Sequence, residues 1–492
     1  MGWGVKRLSG WDAMLLYSET PNVPTHTMKI AVVDTTDSDR QFTFDLFRHI
    51  VQRRLPVLEP LRYQLINVPL KLHHPMWLED CEVDLDNHLR RVTVPSPGGR
   101  REIDDLIGKI AQAPLDRSRP LWEAYFVDGM ADRKVALIVK VHHALADGVA
   151  SANLLARAMD PKGPTRGDGD VKARTPPSRA ALVSAAGRDH LEQIKRLPAV
   201  IRDTVSGVAK VRRRSRERGK HPALAKAFSS PPTFINHSVS PGRRFATATL
   251  ALSDVKQTTK HLGITINDLV LSISAGALRG LLLHYDGKAD QPIVASVPVN
   301  TDPSPCRISG NAIGGMFVSL PVQLDDPSER VSLVSVSTGI AKENTRLLGA
   351  DLLGRWTAYT PPPVAPAAFR WLAKREAQMK LYNVSVSNVR GPDERGCVGG
   401  ASIGEFYSVG PLTPGTGMNI TVWSYVDQVN ISVLTDDRTI GDAHEVTDAM
   451  LHEFGEIRRS CGLSSELTEV ETAMAQADDA GRGEKRAHGG RW

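Results

Sequence analysis

Residues 135–154 read VALIVKVHHALADGVASANL, and the chemistry on offer is concentrated there. His142 and His143 are adjacent, and Asp147 and Gly148 follow after the spacer Ala144-Leu145-Ala146. A neutral imidazole is the side chain best suited to take a proton near neutral pH. A carboxylate four residues on can brace the turn, by accepting main-chain N–H bonds or by pairing with an arginine. Gly148 allows a tight turn at that carboxylate. Two incidental histidines at a strand end are the plainer alternative. Zinc is the weaker one, because adjacent histidines on a strand point to opposite faces and no HExxH or paired-cysteine spacing lies nearby.

Two elements must position these residues. The β-branched run Val135–Val141 has the pattern of a short buried strand. Val149, Ala152, Leu154 and Leu155 continue at helical spacing after the glycine. The motif is therefore a strand, a His-His turn and a helix, with the pair delivered into a cleft. A second pair, His73-His74, has no Asp-Gly after it and reads as structural. Pro120-Leu121-Trp122 reads as a strand start with a buried tryptophan. Asn267-Asp268 opens an apolar helix, where capping by Thr265 or Asn267 explains its polarity.

The letters HHxxxDG resemble the active-site motif of CoA-dependent acyltransferases of the chloramphenicol acetyltransferase type. With PLW at 120–122, LSGWDAMLLYSETPNVPTHT from Leu8, Asn267-Asp268 and SNVRGP at 387–392, the chain resembles the bacterial wax ester synthase/diacylglycerol acyltransferase family, especially its actinobacterial members. The resemblance runs from about Leu8 to about Arg459 with the motifs in the family's order. Arg390 and Gly10-Trp11 depart from the family's usual residues. The resemblance implies that His143 is the general base, His142 an orienting neighbour, Asp147 a brace, and Gly148 the turn residue. It further implies that Pro120, Leu121 and Trp122 shape an acyl pocket, and that Asn267 and Asp268 support the cleft from the opposite domain.

A length of 492 residues suggests more than one domain. Hydrophobic residues at 41% and charged residues at 24% fit a globular protein. No charge-free stretch of 18 residues is apolar enough to span a bilayer, and no signal peptide is evident at the N-terminus. Cys81, Cys306, Cys397 and Cys461 are scattered without CxxC pairing, which fits a reducing cytosol. The net charge of +6 is mildly basic. No nucleic-acid motif accompanies it, so anionic lipid or the phosphates of coenzyme A are the better partners. No GxGxxG or P-loop follows a strand, which argues against dinucleotide or NTP binding.

Strands and helices intermix without a βαβ rhythm. The expected fold is α/β: two chloramphenicol-acetyltransferase-like sandwich domains with mixed sheets, joined by a crossover linker. Residues 1–160 form the first domain, with HHxxxDG. Residues 161–233 form the crossover, which opens Pro/Gly-rich and continues as a helix ending in the basic run Arg212–Arg218. That run reads as a solvated connector or as a basic amphipathic segment on an anionic membrane. Residues 234–462 form the second domain, and 463–492 a polar, disordered tail.

The expected reaction moves a long acyl chain from acyl-CoA, as co-substrate, to diacylglycerol, giving triacylglycerol. No metal and no other cofactor is called for. A fatty alcohol giving a wax ester is the alternative acceptor, and a non-catalytic lipid-binding protein the alternative class. The expected location is cytoplasmic, with peripheral association at the inner membrane face or lipid droplets.

Overall fold

The computed structural model describes residues 5–36, 41–159, 177–219, 221–225, 229–302, 304, 306–374 and 381–470. The Pro/Gly-rich start of the crossover and most of the expected polar tail lie outside them.

The chain opens with β1 (Val5–Arg7), α1 (Gly10–Ser18) and β2 (His26–Asp34), followed by α2 (Phe44–Arg54), β3 (Gln64–Ile66), β4 (Met76–Leu78), β5 (Leu89–Thr93) and α3 (Arg100–Gln112). β6 (Trp122–Asp128) turns into β7 (Lys134–His142), and α4 (Gly148–Met159) follows the His-His turn. The crossover holds one long helix, α5 (Arg179–Arg218). Then come β8 (Arg243–Ala251), α6 (Leu252–Leu262), α7 (Ile266–Tyr285), β9 (Ile293–Asn300), β10 (Ile313–Leu320), α8 (Pro327–Leu348), α9 (Leu352–Thr357) and α10 (Ala365–Lys374). β11 (Val384–Arg390), β12 (Cys397–Val398), β13 (Ala401–Val409), β14 (Met418–Tyr425), β15 (Gln428–Asp436) and α11 (His444–Ser460) close the fold.

Two six-stranded sheets dominate. The first has the order β12-β13-β2-β7-β6-β5 and the second β10-β9-β11-β14-β15-β8. Each mixes parallel and antiparallel pairs, for example β5 parallel to β6 and β6 antiparallel to β7. β7 is an inner strand, flanked by β2 and β6. Its two faces feed separate apolar clusters: Leu137 and Val141 on one, Ala136 and Ile138 on the other. This burial on both faces explains its unbroken apolar run. The second unit's core lies between its sheet and α7, α8 and α11, with Leu269, Val334 and Phe454 fully buried. By length and composition α7 is apolar enough to cross a membrane, yet its side chains are spent on this core.

Four details of the fold are not legible in the sequence. β12 and β13, from the second half, pair with β2 in the first sheet, so sheet membership cuts across a division at residue 234. Between α2 and β4 the chain forms a 3-10 turn at 59–62 and only three strand residues, β3. α6 has Ala251 at its N-cap, without a side-chain bond, and Ser253 sits in its first turn. β1 and β5 were not expected, being too short or too charged to show a period-two pattern.

Candidate active site

β7 carries the histidine pair to the end of the first sheet while the ladder still holds both main chains. His142 N–H donates to the Leu121 carbonyl on one side (3.0 Å), and His143 N–H to the Thr25 carbonyl on the other (3.0 Å). His142 faces His26 across the β2 pairing and is 1% exposed. The Ala144 N–H donates to His142 Nδ1 (3.1 Å), which fixes Nδ1 as an acceptor. Its Nε2 lies 3.7 Å from Glu19, an electrostatic contact rather than a hydrogen bond. His142 thus has its ring committed to the turn and to Glu19.

His143 is arranged differently. The residue is half-buried, and desolvation holds its pKa below the usual histidine value. Its own main chain and Asp147 oppose that shift, and the charges of His142 and Lys29 add to it. Nδ1 finds no hydrogen-bond partner in another residue. A half-buried imidazole whose pKa is held below its usual value is suited to accept a proton near neutral pH.

Asp147 is 3% exposed and its carboxylate is fully occupied. Oδ1 accepts the Ala150 N–H (2.9 Å), while Oδ2 accepts the Ala312 N–H (2.9 Å) and lies 2.9 Å from the Arg307 guanidinium. Gly310 continues this seam, donating to the Leu145 carbonyl and accepting from the Asp147 N–H. The turn after β7 is therefore clamped to the loop between β9 and β10 of the second unit. Asn311, in the same loop, donates through Nδ2 to the His143 carbonyl (2.7 Å) and to Asp12 Oδ1 (2.7 Å). Asp12 closes a capping box with Ser9 at the start of α1. Burial pushes its pKa up to about 6, against the bonds from Asn311 and Ser9.

Gly148 serves space rather than backbone freedom. It is not among the residues with positive φ, and a Cβ there would come 3.2 Å from the Val389 side chain of β11. The tight turn expected from this glycine is thus a close approach between α4 and the strand carrying SNVRGP. Gly391 of that motif is tighter still, for a Cβ would come 2.2 Å from Trp423 Nε1 and from the Ser424 carbonyl. Trp423 in turn lies under Lys29, whose Nζ is 4.6 Å from the ring centroid and bonds to Ser408 Oγ. Lys29 is 8% exposed, with no carboxylate beside it among the described residues. Burial lowers its pKa to about 7, with Asp147 opposing the shift.

Leu121 and Trp122 are buried in the same apolar cluster as Val141 and Leu145. The Leu121 carbonyl receives the His142 N–H, and Trp122 stacks on His88 at 4.4 Å and donates to the Leu61 carbonyl (2.7 Å). Pro120 precedes them at the strand start. Asn267 and Asp268 lie at the N-terminus of α7, where Asp268 forms a capping box with Thr265. None of their hydrogen bonds among the described residues reaches the His143 turn.

Asp12, Lys29, Arg307 and Asn311 are site residues that sequence reasoning missed. Asp12 sits inside LSGWDAMLL without a chemical signal of its own. Lys29, in an otherwise apolar strand, was the legible anomaly. Arg307 is an arginine of the kind that could pair with Asp147, one of the two braces considered, but no spacing identifies it.

Residues 8–270 match the family model described as the wax ester synthase/diacylglycerol acyltransferase catalytic domain, and residues 309–458 match its C-terminal domain. Over 474 residues the chain is 58% identical to a protein of Mycobacterium tuberculosis H37Rv that is provisionally named a diacylglycerol O-acyltransferase, covering 96% of this chain and all of that one. A second protein of that provisional name, in strain CDC 1551, is 34% identical over 465 residues, covering 93% and 91%. Among solved structures, a wax ester synthase/diacylglycerol acyltransferase of Marinobacter aquaeolei VT8 is similar in fold, with TM-score 0.66 and 24% identity over 93% of this chain and all of that one. The first condensation domain of the calcium-dependent antibiotic synthetase superposes with TM-score 0.55 at 14% identity, covering 95% and 99%.

Proposed function

Because the chain belongs to the wax ester synthase/diacylglycerol acyltransferase family and is an acyltransferase, we propose that it moves a long acyl group from acyl-CoA to the free hydroxyl of diacylglycerol, giving triacylglycerol, with His143 as general base. The observation that carries this reading is the contrast within the pair: His143 is half-buried and its Nδ1 is bonded by no other residue, whereas His142 is 1% exposed and its Nδ1 accepts from Ala144.

In the proposed step the acceptor oxygen attacks the thioester carbonyl while His143 takes its proton. The tetrahedral adduct collapses, the C–S bond breaks, and the imidazolium returns the proton to the departing thiolate. The products are the ester and free CoA. No enzyme-bound acyl group is required, and the GxSxG match from Gly400 to Gly404 lies in the β12–β13 hairpin and not on a strand-to-helix elbow. Asp147 exchanges no proton in this scheme, since its oxygens are held by Ala150, Ala312 and Arg307. Pro120, Leu121 and Trp122 would shape the acyl side, Asn267 and Asp268 the opposite wall, and no cofactor beyond the co-substrate is needed. The proposal sets the enzyme in the cytoplasm, drawing its insoluble acceptor from the inner membrane face or a lipid droplet.

The test is an acceptor panel with palmitoyl-CoA: diolein, hexadecanol and no acceptor, following CoA release and the ester formed. Triacylglycerol as the dominant product supports the reading. Faster ester formation with hexadecanol makes the chain a wax ester synthase, and CoA release indifferent to acceptor overturns the transfer.

A further inference from the structure

We propose that the outward face of α5 docks the enzyme onto an anionic phospholipid bilayer. The helix has two apolar faces. Leu182, Ala186, Val200 and Gly207 point inward and are buried, with Gly207 set so closely on α8 that a Cβ would lie 2.9 Å from the Leu348 carbonyl. On the other side Leu191 (60% exposed), Ile194 (65%), Ile201 (46%) and Val205 (64%) stand in solvent. At 3.6 residues per turn these four fall within an arc of about 80°. Large side chains aligned in this way mark an interaction surface.

The same arc continues into Arg212 and Arg216, which are exposed and form no ion pair among the described residues. The neighbouring Arg214 and Arg218 are turned to Glu343 on α8. Arg212 and Arg216 thus extend the apolar stripe as exposed cations without an ion pair among the described residues. An apolar stripe with a basic end matches a bilayer interface whose headgroups are anionic. A second copy fits less well, since antiparallel pairing would lay each arginine end on the partner's apolar end and parallel pairing would set the arginines against each other.

The surface extends sideways to the loop beside α5. His190 Nε2 donates to the Leu72 carbonyl (2.7 Å). In that loop Leu70 is 87% exposed and adopts φ 57°, a conformation that leucine rarely takes. The fold holds this leucine outward against that preference.

This assigns the expected lipid-surface association to a specific face, and binding is read without turnover, so it stands or falls apart from the reaction. The full chain, its Ile194→Ser/Ile201→Ser/Val205→Ser variant and its Arg212→Gln/Arg216→Gln variant are floated with vesicles of phosphatidylcholine, with and without phosphatidylglycerol, at low and high salt. The unaltered chain should float with anionic vesicles. The apolar variant should lose about tenfold or more in partition at every salt concentration. The arginine variant should lose about fivefold per cation at low salt and little at high salt. Melting temperature and turnover with soluble dioctanoylglycerol should stay unchanged in both variants, since the altered side chains are exposed. Equal flotation of the apolar variant, or no flotation of the unaltered chain, overturns the proposal. So does a concentration-dependent dimer that the apolar variant abolishes, which would give the face to a second copy.

Discussion

The Asp147 carboxylate meets the Arg307 guanidinium at 2.9 Å, with both groups largely withdrawn from solvent. The pair joins the turn that carries His143 to a loop of the second unit, so the placement of the histidine depends on both halves of the chain. A pair buried in this way gains from its geometry, but losing one partner strands the other. Asp147→Asn should therefore cost roughly 1.5–3 kcal/mol of stability and lower turnover together with it. Arg307→Met should do the same. Calorimetry beside turnover checks this; an Asp147→Asn protein that melts normally yet is inactive would make Asp147 a direct participant.

The glycines of SNVRGP and of the histidine motif give a graded prediction. A Cβ at Gly391 would meet main chain and a fully buried tryptophan at 2.2 Å, neither of which can yield. Gly391→Ala should cost at least about 1–3 kcal/mol. A Cβ at Gly148 meets only the tip of Val389 at 3.2 Å, so Gly148→Ala should cost clearly less. Denaturant midpoints for the two variants decide it, and the reverse order would mean that α4 cannot shift relative to β11.

Much of this was legible in the sequence, for a physical reason. β7 announces itself because burial on both faces demands a nearly continuous apolar run, and α7 because its buried apolar side chains are dense over 20 residues. The Asp147 brace was legible in kind, because a carboxylate beside a turn needs donors, but its partners come from residues 307–312, and sequence distance hides them. β13 joining the first sheet was invisible, since its alternation fits either sheet equally well. Asn311 acts on the His143 main-chain carbonyl and Asp12 accepts from the Ser9 and Asn311 main chain and the Asn311 amide, contacts that leave no compositional trace.

The histidines should separate cleanly. His143→Ala removes the proposed proton acceptor and should reduce turnover by roughly 10²–10⁴-fold. Acyl-CoA binding should survive. His142→Ala loses the bond from Ala144 and a side chain that is 1% exposed, so stability should fall more than with His143→Ala and turnover should fall less. Turnover with palmitoyl-CoA and diolein, beside melting temperature, makes the comparison. Retained activity in His143→Ala with loss in His142→Ala would reverse the assignment.

Lys29 supplies a prediction in pH. Its pKa falls from 10.5 to about 7 on folding, through burial, with Asp147 the opposing influence. Between those values the unfolded chain binds a proton that the folded chain does not, so stability rises with pH across that window. Below about pH 7 both states are protonated and the full cost of the buried cation is present. Lys29→Met should therefore raise the melting temperature at pH 6 to 7 and flatten the rise towards pH 10. The same ammonium holds the His143 pKa down, alongside burial and the His142 charge, against Asp147. Arg307 neutralises Asp147 without facing the imidazole directly, and Asp12 reaches the turn only through Asn311. Removing the Lys29 charge should let His143 protonate at higher pH, moving the acid limb of kcat/KM upward. Paired melting and rate profiles from pH 5 to 10 test both halves. A destabilised Lys29→Met protein at neutral pH would show that the bond to Ser408 and the contact with Trp423 outweigh the cost of burial. An acid limb that stays in place would show that Lys29 does not tune the base.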